Sequence, residues 1–356
     1  MTGKDVLQGA RIFITGGAGF IGSRLARAVA GRGAEVTIFD NLHPQVHGPA
    51  PVIDLPATLI VGDVRDKAAL AGALEQARPT IVVHLAAETG TGQSADEPAR
   101  YTDVNVGGTA RLIEALKALA VPPERVVLAS TRAIYGEGAY AGPQGPLVPA
   151  PRSTQDMAAG VFEVRDATGR ALEPLPSPET LPPAPGSVYG TTKLMQEYLL
   201  HQVPAPWQTV ILRLQNVYGP GQSLRNPYTG VLSIFCQQTL AGQTLNVFED
   251  GNIVRDFVFV DDVVAAFVVA CHDDNILGRT LNVGTGRPAS ILAAAARILE
   301  CLEVPADRLR ISGDFRAGDV RYAVADMTTT RAAMSWAPQV SFEEGIARLA
   351  DWARRG

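Results

Sequence analysis

Tyr189 and Lys193 stand four residues apart in Tyr189-Gly190-Thr191-Thr192-Lys193, which sets both on one face of a helix running to about residue 202. A phenol, with an ordinary pKa of about 10, is a poor base at neutral pH. An ammonium beside it favours the phenolate and lowers that pKa, so the pair can take a proton from an alcohol. Thr131, in Ser130-Thr131-Arg132-Ala133, offers a hydroxyl that can hydrogen-bond the same substrate oxygen. Taken alone, a Tyr and a Lys at this spacing suit a solvated helix face equally well. The segments that would have to position them decide between the two readings.

The first of those segments is Ile12-Phe13-Ile14-Thr15-Gly16-Gly17-Ala18-Gly19-Phe20-Ile21-Gly22. A β-branched apolar strand runs into glycines and then into a helix, 22–31. Glycines let the backbone turn sharply and approach a pyrophosphate, and the free N–H groups of a helix start favour its negative charge. A second strand, 35–40, ends in Asp40 about 20 residues on, which completes a dinucleotide fingerprint. At that position a carboxylate takes both hydroxyls of an adenosine ribose and repels a 2′-phosphate, so NAD is expected rather than NADP. The positive nicotinamide ring would then join Lys193 in favouring the Tyr189 phenolate.

Strands at 58–61, 80–85 and 125–129 alternate with helices at 67–77 and 101–119. Short apolar runs without strict alternation suit strands buried on both faces. The expected fold is therefore α/β, a doubly wound parallel (Rossmann) sheet with a smaller C-terminal substrate-binding α/β lobe. The expected division is 1–190 for the dinucleotide and 191–356 mostly for substrate, with some segments returning to the sheet. Ligands sit at the carboxyl ends of such strands. The cofactor residues expected are Gly16, Gly19, Phe20, Ile21, Gly22, Asp40, Asn41, Asp63, Val64, Leu85, Ala86, Ala87, Asn105, Ser130, Tyr189, Lys193 and Gln215. Asp63 either flanks the adenine or caps the helix at Lys67. His84 reads as a packed histidine rather than a catalyst. Asn105, in Asn105-Val106-Gly107-Gly108, marks close packing or a hydrogen bond to a loop.

Composition narrows the partners. The chain has 356 residues, is 46% hydrophobic and carries a net charge of −5 without a basic run, which disfavours nucleic acid and anionic membranes. Cys236, Cys271 and Cys301 are scattered with no CxxC pair, so neither a disulfide framework nor a metal site is expected. No apolar run reaches the roughly 18 residues of a membrane helix, and the first eleven residues lack an apolar signal core. A cytoplasmic protein is expected.

The glycine turn, the Tyr189-xxx-Lys193 pair and a Thr after the fifth strand together resemble the extended short-chain dehydrogenase/reductases, specifically the nucleotide-sugar epimerases and dehydratases. The likeness extends through Leu212-Arg213-Leu214-Gln215-Asn216-Val217-Tyr218-Gly219-Pro220, Glu249-Asp250-Gly251, Arg255-Asp256-Phe257-Val258 and Arg316-Ala317-Gly318-Asp319. It implies a nucleotide-diphosphate sugar as substrate, held by Arg132, Asn216, Val247, Arg255 and Arg316, and a homodimer. Guanidinium forks suit phosphate oxygens. Val247 lines the base pocket or belongs to a core strand. Gln215 stands where Phe or Tyr is more common, so the nicotinamide end of the pocket is expected to differ.

Similar dehydratases carry an acid pair directly after the catalytic Thr, and similar decarboxylases a Glu at the second of those positions. Here the residues are Arg132 and Ala133, neither of which does acid–base work at neutral pH. Epimerisation at C4 through a transient ketone remains, with Thr131, Tyr189 and Lys193 as the catalytic set. The motif around Arg213–Gly230 is most similar to the dTDP-L-rhamnose 4-epimerase-like group, implying a dTDP-6-deoxyhexose. The alternative is a 4-ketoreductase or dehydrogenase that exchanges its cofactor. Residues 137–187, rich in proline, separate Thr131 from Tyr189. A short hairpin is expected at 161–170, and the segment is a lid, a dimer-contact arm or a tolerated insertion. Residues 282–286 are expected to pack the lobe onto the main domain.

Overall fold

The computed structural model describes residues 6–49, 51–222 and 230–355. The 223–229 part of the motif after Arg213 lies outside them. Five strands of the N-terminal half, β1 (Arg11–Thr15), β2 (Glu35–Asp40), β3 (Thr58–Val61), β4 (Ile81–His84) and β5 (Arg125–Thr131), join two later ones, Gln208–Leu214 and Thr280–Val283. Across the sheet the order is Thr280–Val283, Gln208–Leu214, β5, β4, β1, β2, β3. Every pairing in it is parallel. The order reverses between β1 and β4, and the crevice there is where such sheets bind ligands.

Alternate side chains of each strand enter two different cores, which is why the sequence shows apolar runs instead of alternation. Ile12, Ile14, Val127, Val210 and Leu212 face one core, shared with Leu25 of the helix Gly22–Ala30 and Phe267 of the helix Val260–His272. Phe13, Val126, Leu128 and Ile211 face the other, against Leu70 and Leu74 of Lys67–Ala77 and Leu112 and Leu116 of Gly108–Ala118. A third core gathers Tyr218, Phe235, Val247, Phe257, Phe259, Ile298 and Leu349 from the C-terminal half.

Three local expectations change. The helix foreseen at 101–119 is broken by a π-helical turn, Thr102–Gly107, before Gly108–Ala118 begins. A Cβ at Gly108 would stand 2.7 Å from Val64 Cγ2, so the helix crosses that loop too closely for any side chain. Residues 282–286 divide between the two halves: Thr280–Val283 is the outermost strand of the main sheet, with Leu281 and Val283 fully buried in its core, while the turn after it is held by Asp256 of the C-terminal half, which accepts from Thr285 N at 2.8 Å and Gly286 N at 2.9 Å. The 137–187 segment is not a bare loop. Ala139–Gly142 pairs antiparallel with Gly145–Leu147 and Pro174–Leu175, and Thr154–Ala158 is a short helix. The expected hairpin survives as an antiparallel bridge between Arg165 and Ala171.

Candidate active site

Thr131 ends β5, and its hydroxyl accepts a hydrogen bond from Ala133 N at 3.2 Å, opening the turn Arg132–Tyr135. The helix Val188–Gln202 is capped by Ser187, whose hydroxyl accepts from Gly190 N at 3.1 Å. A Cβ on Gly190 would lie 2.8 Å from the Ala133 carbonyl, so this helix start docks directly on the turn after Thr131. That close approach brings Tyr189 near enough to Thr131 for the threonine to act on the ionisation of the phenol. Tyr189 N donates to Ser94 Oγ at 3.1 Å, and the Tyr101 ring meets the phenol edge-on at 6.4 Å.

Burial pushes the Tyr189 phenol upward, while Thr131 and the Arg132 cation act against that rise. Desolvation sets the phenol here, where the sequence led to an expected depression by Lys193. Lys193, only 3% exposed, is pushed down by burial to about 7, opposed by the Glu197 carboxylate. Glu197 is paired with Arg213, Nη2 to Oε2 at 2.7 Å and Nε to Oε1 at 3.1 Å, and accepts from the Ser130 hydroxyl. Sequence reasoning does not single out the Glu197–Arg213 pair, although the i, i+4 spacing of Glu197 from Lys193 offers a signal for it. Burial pushes His84 down to about 3, and it bonds Thr15 Oγ1 at 2.7 Å and Thr109 Oγ1 at 2.9 Å.

The glycine turn leaves room for a diphosphate. Gly16 has φ +69°, and a Cβ there would stand 2.7 Å from Ala86 N, so the ends of β1 and β4 meet backbone to backbone at Leu85 and Ala86. A Cβ at Gly22 would lie 2.7 Å from Gly17 Cα. At Gly19 it would approach only Gly16 O, at 3.3 Å, a contact that a shift of a few tenths of an ångström relieves. The helix that follows starts at Ile21 with no side-chain cap. An uncapped helix start beside a glycine turn fits a bound pyrophosphate. Phe20 lies under the Arg24 guanidinium, 5.2 Å from ring to cation, and Ala87 is half-buried beyond Ala86.

Asp40 accepts from Ala18 N at 3.0 Å and Leu42 N at 2.9 Å, which ties the glycine turn to the end of β2. His47, on the short helix Pro44–His47, stands 3.5 Å from the same carboxylate. Asn41 donates to Asp63 at 3.0 Å, and Arg65 holds the Asp63 carboxyl well below the usual carboxylate range. The helix Lys67–Ala77 is capped by Asp66, which accepts from Ala68 N and Ala69 N at 3.0 Å each; the capping alternative for Asp63 therefore fails. Val64 is buried against Gly108. Asn105 is fully buried, accepting from Glu88 N at 2.8 Å and donating to Thr192 Oγ1 at 3.0 Å. It joins the loop after β4 to the Tyr189 helix.

The residues expected to hold substrate fall in two groups. Arg132 is half-buried, close enough to Arg255, Asp319, Glu137 and Tyr189 to feel their charges, and burial pushes it down to about 10. Gln215 Oε1 and Asn216 Oδ1 are buried acceptors without a protein donor among the described residues. Arg255 is clasped by Asp319 at 2.7 Å and by the Val320 carbonyl at 2.7 Å. Arg316 is exposed and stacks on Phe248, 5.0 Å from the ring. Val247 is a core side chain, fully buried in a strand paired with Leu309–Ile311.

The model of the NAD dependent epimerase/dehydratase family matches residues 12–155 and 167–284. A dTDP-L-rhamnose 4-epimerase of Burkholderia thailandensis is 41% identical over 354 residues, 98% of this chain and 96% of that protein. The Thermotoga maritima UDP-glucose 4-epimerase with UDP-glucose superposes with a TM-score of 0.80 at 30% identity, covering 97% of this chain and 98% of its own. The Thermus thermophilus UDP-glucose 4-epimerase in complex with NAD gives a TM-score of 0.78 at 30% identity, covering 97% and 99%. With the family model matching 12–155 and 167–284 and relatives of this similarity over nearly the whole length, this chain belongs to the NAD-dependent epimerase/dehydratase family.

Proposed function

We propose that this chain interconverts the C4 epimers of a nucleotide-diphosphate sugar, a dTDP-linked 6-deoxyhexose, through a transient 4-keto intermediate. The observation that carries the reading is the surroundings of Tyr189. The turn on which its helix docks carries Arg132 and Ala133 directly after Thr131, and neither is a carboxylic acid. Expelling water from C5 and C6 needs an acid and a base beside the ketone, so proton exchange at a single hydroxyl is the chemistry this site supports. The identity to a named dTDP-L-rhamnose 4-epimerase supports the choice of sugar and nucleotide.

NAD, when bound, supplies the acceptor and donor of the C4 hydrogen. Tyr189 takes the proton of the C4 hydroxyl and returns it after the ketone has turned over. Thr131 orients that oxygen, and Lys193 stabilises the phenolate from one helical turn away. In this reading residues 1–190 hold NAD, with Asp40 on the ribose, and 191–356 mostly hold the nucleotide sugar. Asn216, Arg255 and Arg316 bind its diphosphate, with Arg132 beside the sugar. Among the described residues no helix is long and apolar enough to cross a membrane, and the reading is of a cytoplasmic enzyme. Met195 and Tyr198, exposed on the outer face of the Tyr189 helix, support a homodimer.

The test is incubation with dTDP- and UDP-sugars without added cofactor. A C4 epimer forming with no net change in nicotinamide absorbance is expected. Strict dependence on added NAD(P)H would establish the ketoreductase reading instead.

A further inference from the structure

Arg152 belongs to the proline-rich segment 137–187, yet its side chain is 4% exposed and grips the opposite half of the chain. The guanidinium pairs with Glu249 at 2.9 Å, donates to the Asp319 carbonyl at 2.6 Å and holds the Phe162 carbonyl of its own segment at 3.0 Å. Glu249 is fully buried, has φ +53° and also takes Arg321 at 2.8 Å. Arg321 continues to Asp250 at 2.7 Å, and its backbone N–H donates to Glu137 at 2.6 Å. A charge withdrawn this far from water is costly unless several fixed partners hold it. A merely tolerated insertion would carry no such group.

Asp319 is the shared joint of this network. Its carbonyl is held by Arg152 and its carboxylate by Arg255 at 2.7 Å. Arg316 lies in the same loop, where its carbonyl accepts from Asp319 N at 3.1 Å. Of the two cations assigned to the diphosphate, Arg255 is thus held by the carboxylate of the residue whose carbonyl Arg152 grips, and Arg316 extends from the turn that the same residue closes. The guanidinium spans the Glu249 carboxylate and the Asp319 carbonyl together, which a lysine ammonium, a single point charge, does not.

We propose that Arg152 is a positioning residue for the diphosphate subsite, and that segment 137–187 is a fixed wall of the nucleotide-sugar site. The inference rests on the proposed assignment of Arg255 and Arg316 to the diphosphate. Its effect falls on binding of the nucleotide and not on the chemical step, because the Arg152 guanidinium is engaged by Glu249, Asp319, Phe162 and, at 3.8 Å, Glu137, and not by Thr131, Tyr189 or Lys193.

The experiment compares wild type, Arg152→Met and Arg152→Lys as full-length, NAD-loaded proteins. It reads steady-state epimerisation and calorimetric binding of dTDP. Arg152→Met is expected to raise both KM and the dTDP Kd about tenfold while kcat changes less than about threefold. Arg152→Lys should fall between it and wild type, with NAD content unchanged. If Arg152→Met does not fold, the double variant Arg152→Met/Glu249→Gln, which leaves no unpaired carboxylate, is read by the same dTDP Kd. Unchanged KM and Kd in the variants, or a loss confined to kcat, would overturn the role of Arg152 alone. A wild-type protein that binds neither dTDP nor UDP would overturn the proposed function and this role with it.

Discussion

Glu197 lies one helical turn beyond Lys193, is 2% exposed, and has its carboxylate locked to Arg213 at 2.7 Å. Its charge opposes the effect of burial on Lys193. Replacing it by Gln should lower the Lys193 pKa further. The loss of activity that accompanies lysine deprotonation should then begin at lower pH than in wild type. Breaking a buried pair also costs about 3–5 kcal/mol, so the melting temperature should fall. A pH profile that does not move would separate Glu197 from Lys193.

The lysine leaves a signature in stability as well. Its folded pKa, about 7, lies below the ordinary 10.5, so between those values the unfolded chain binds the extra proton. Stability of the NAD-stripped protein should therefore rise with pH across that window. Lys193→Met should flatten the rise in denaturant titrations, and should be the more stable protein at the low-pH end.

Arg132 acts in the opposite sense on the phenol. Its charge favours the phenolate against a rise caused by burial. Arg132→Met should shift the limb on which activity grows with phenol ionisation to higher pH, so that activity at neutral pH falls and partly recovers in alkali. The kcat profile of the variant checks this.

Two glycines of the fingerprint should respond differently to a methyl group. Gly19→Ala meets only Gly16 O at 3.3 Å, so folding should change by less than about 1 kcal/mol, while the NAD retained on purification falls sharply. Gly22→Ala would place its Cβ 2.7 Å from Gly17 Cα, and should destabilise the protein itself. Thermal melts with and without NAD distinguish the two effects.

Much of this arrangement is legible in the sequence because it is local. The bounds 35–40, 58–61 and 67–77 agree with the observed elements, since a short apolar run or a helical apolar pattern declares itself within a few residues, whereas the cap of the last, Asp66 and not Asp63, does not. The proposed Thr131, Tyr189 and Lys193 set is read from spacing and from the glycine turn. What escapes depends on contacts far apart in the chain. Arg152 and Glu249 pair across a long stretch of sequence and leave no periodic trace. The burial of Leu281 and Val283 is equally silent, because the short apolar run of the strand Thr280–Val283 does not say which sheet it joins. The π-helical turn at Thr102–Gly107 and the close pass of Gly108 over Val64 likewise leave no pattern in the sequence.

Substrate deuterated at C4 shows whether the C4 hydrogen leaves and returns within one closed site served by Tyr189. The epimeric product is expected to retain the deuterium at C4, without added cofactor, and Tyr189→Phe to abolish turnover while NAD stays bound. Wash-out of the label to solvent, or full turnover by Tyr189→Phe, would contradict this expectation.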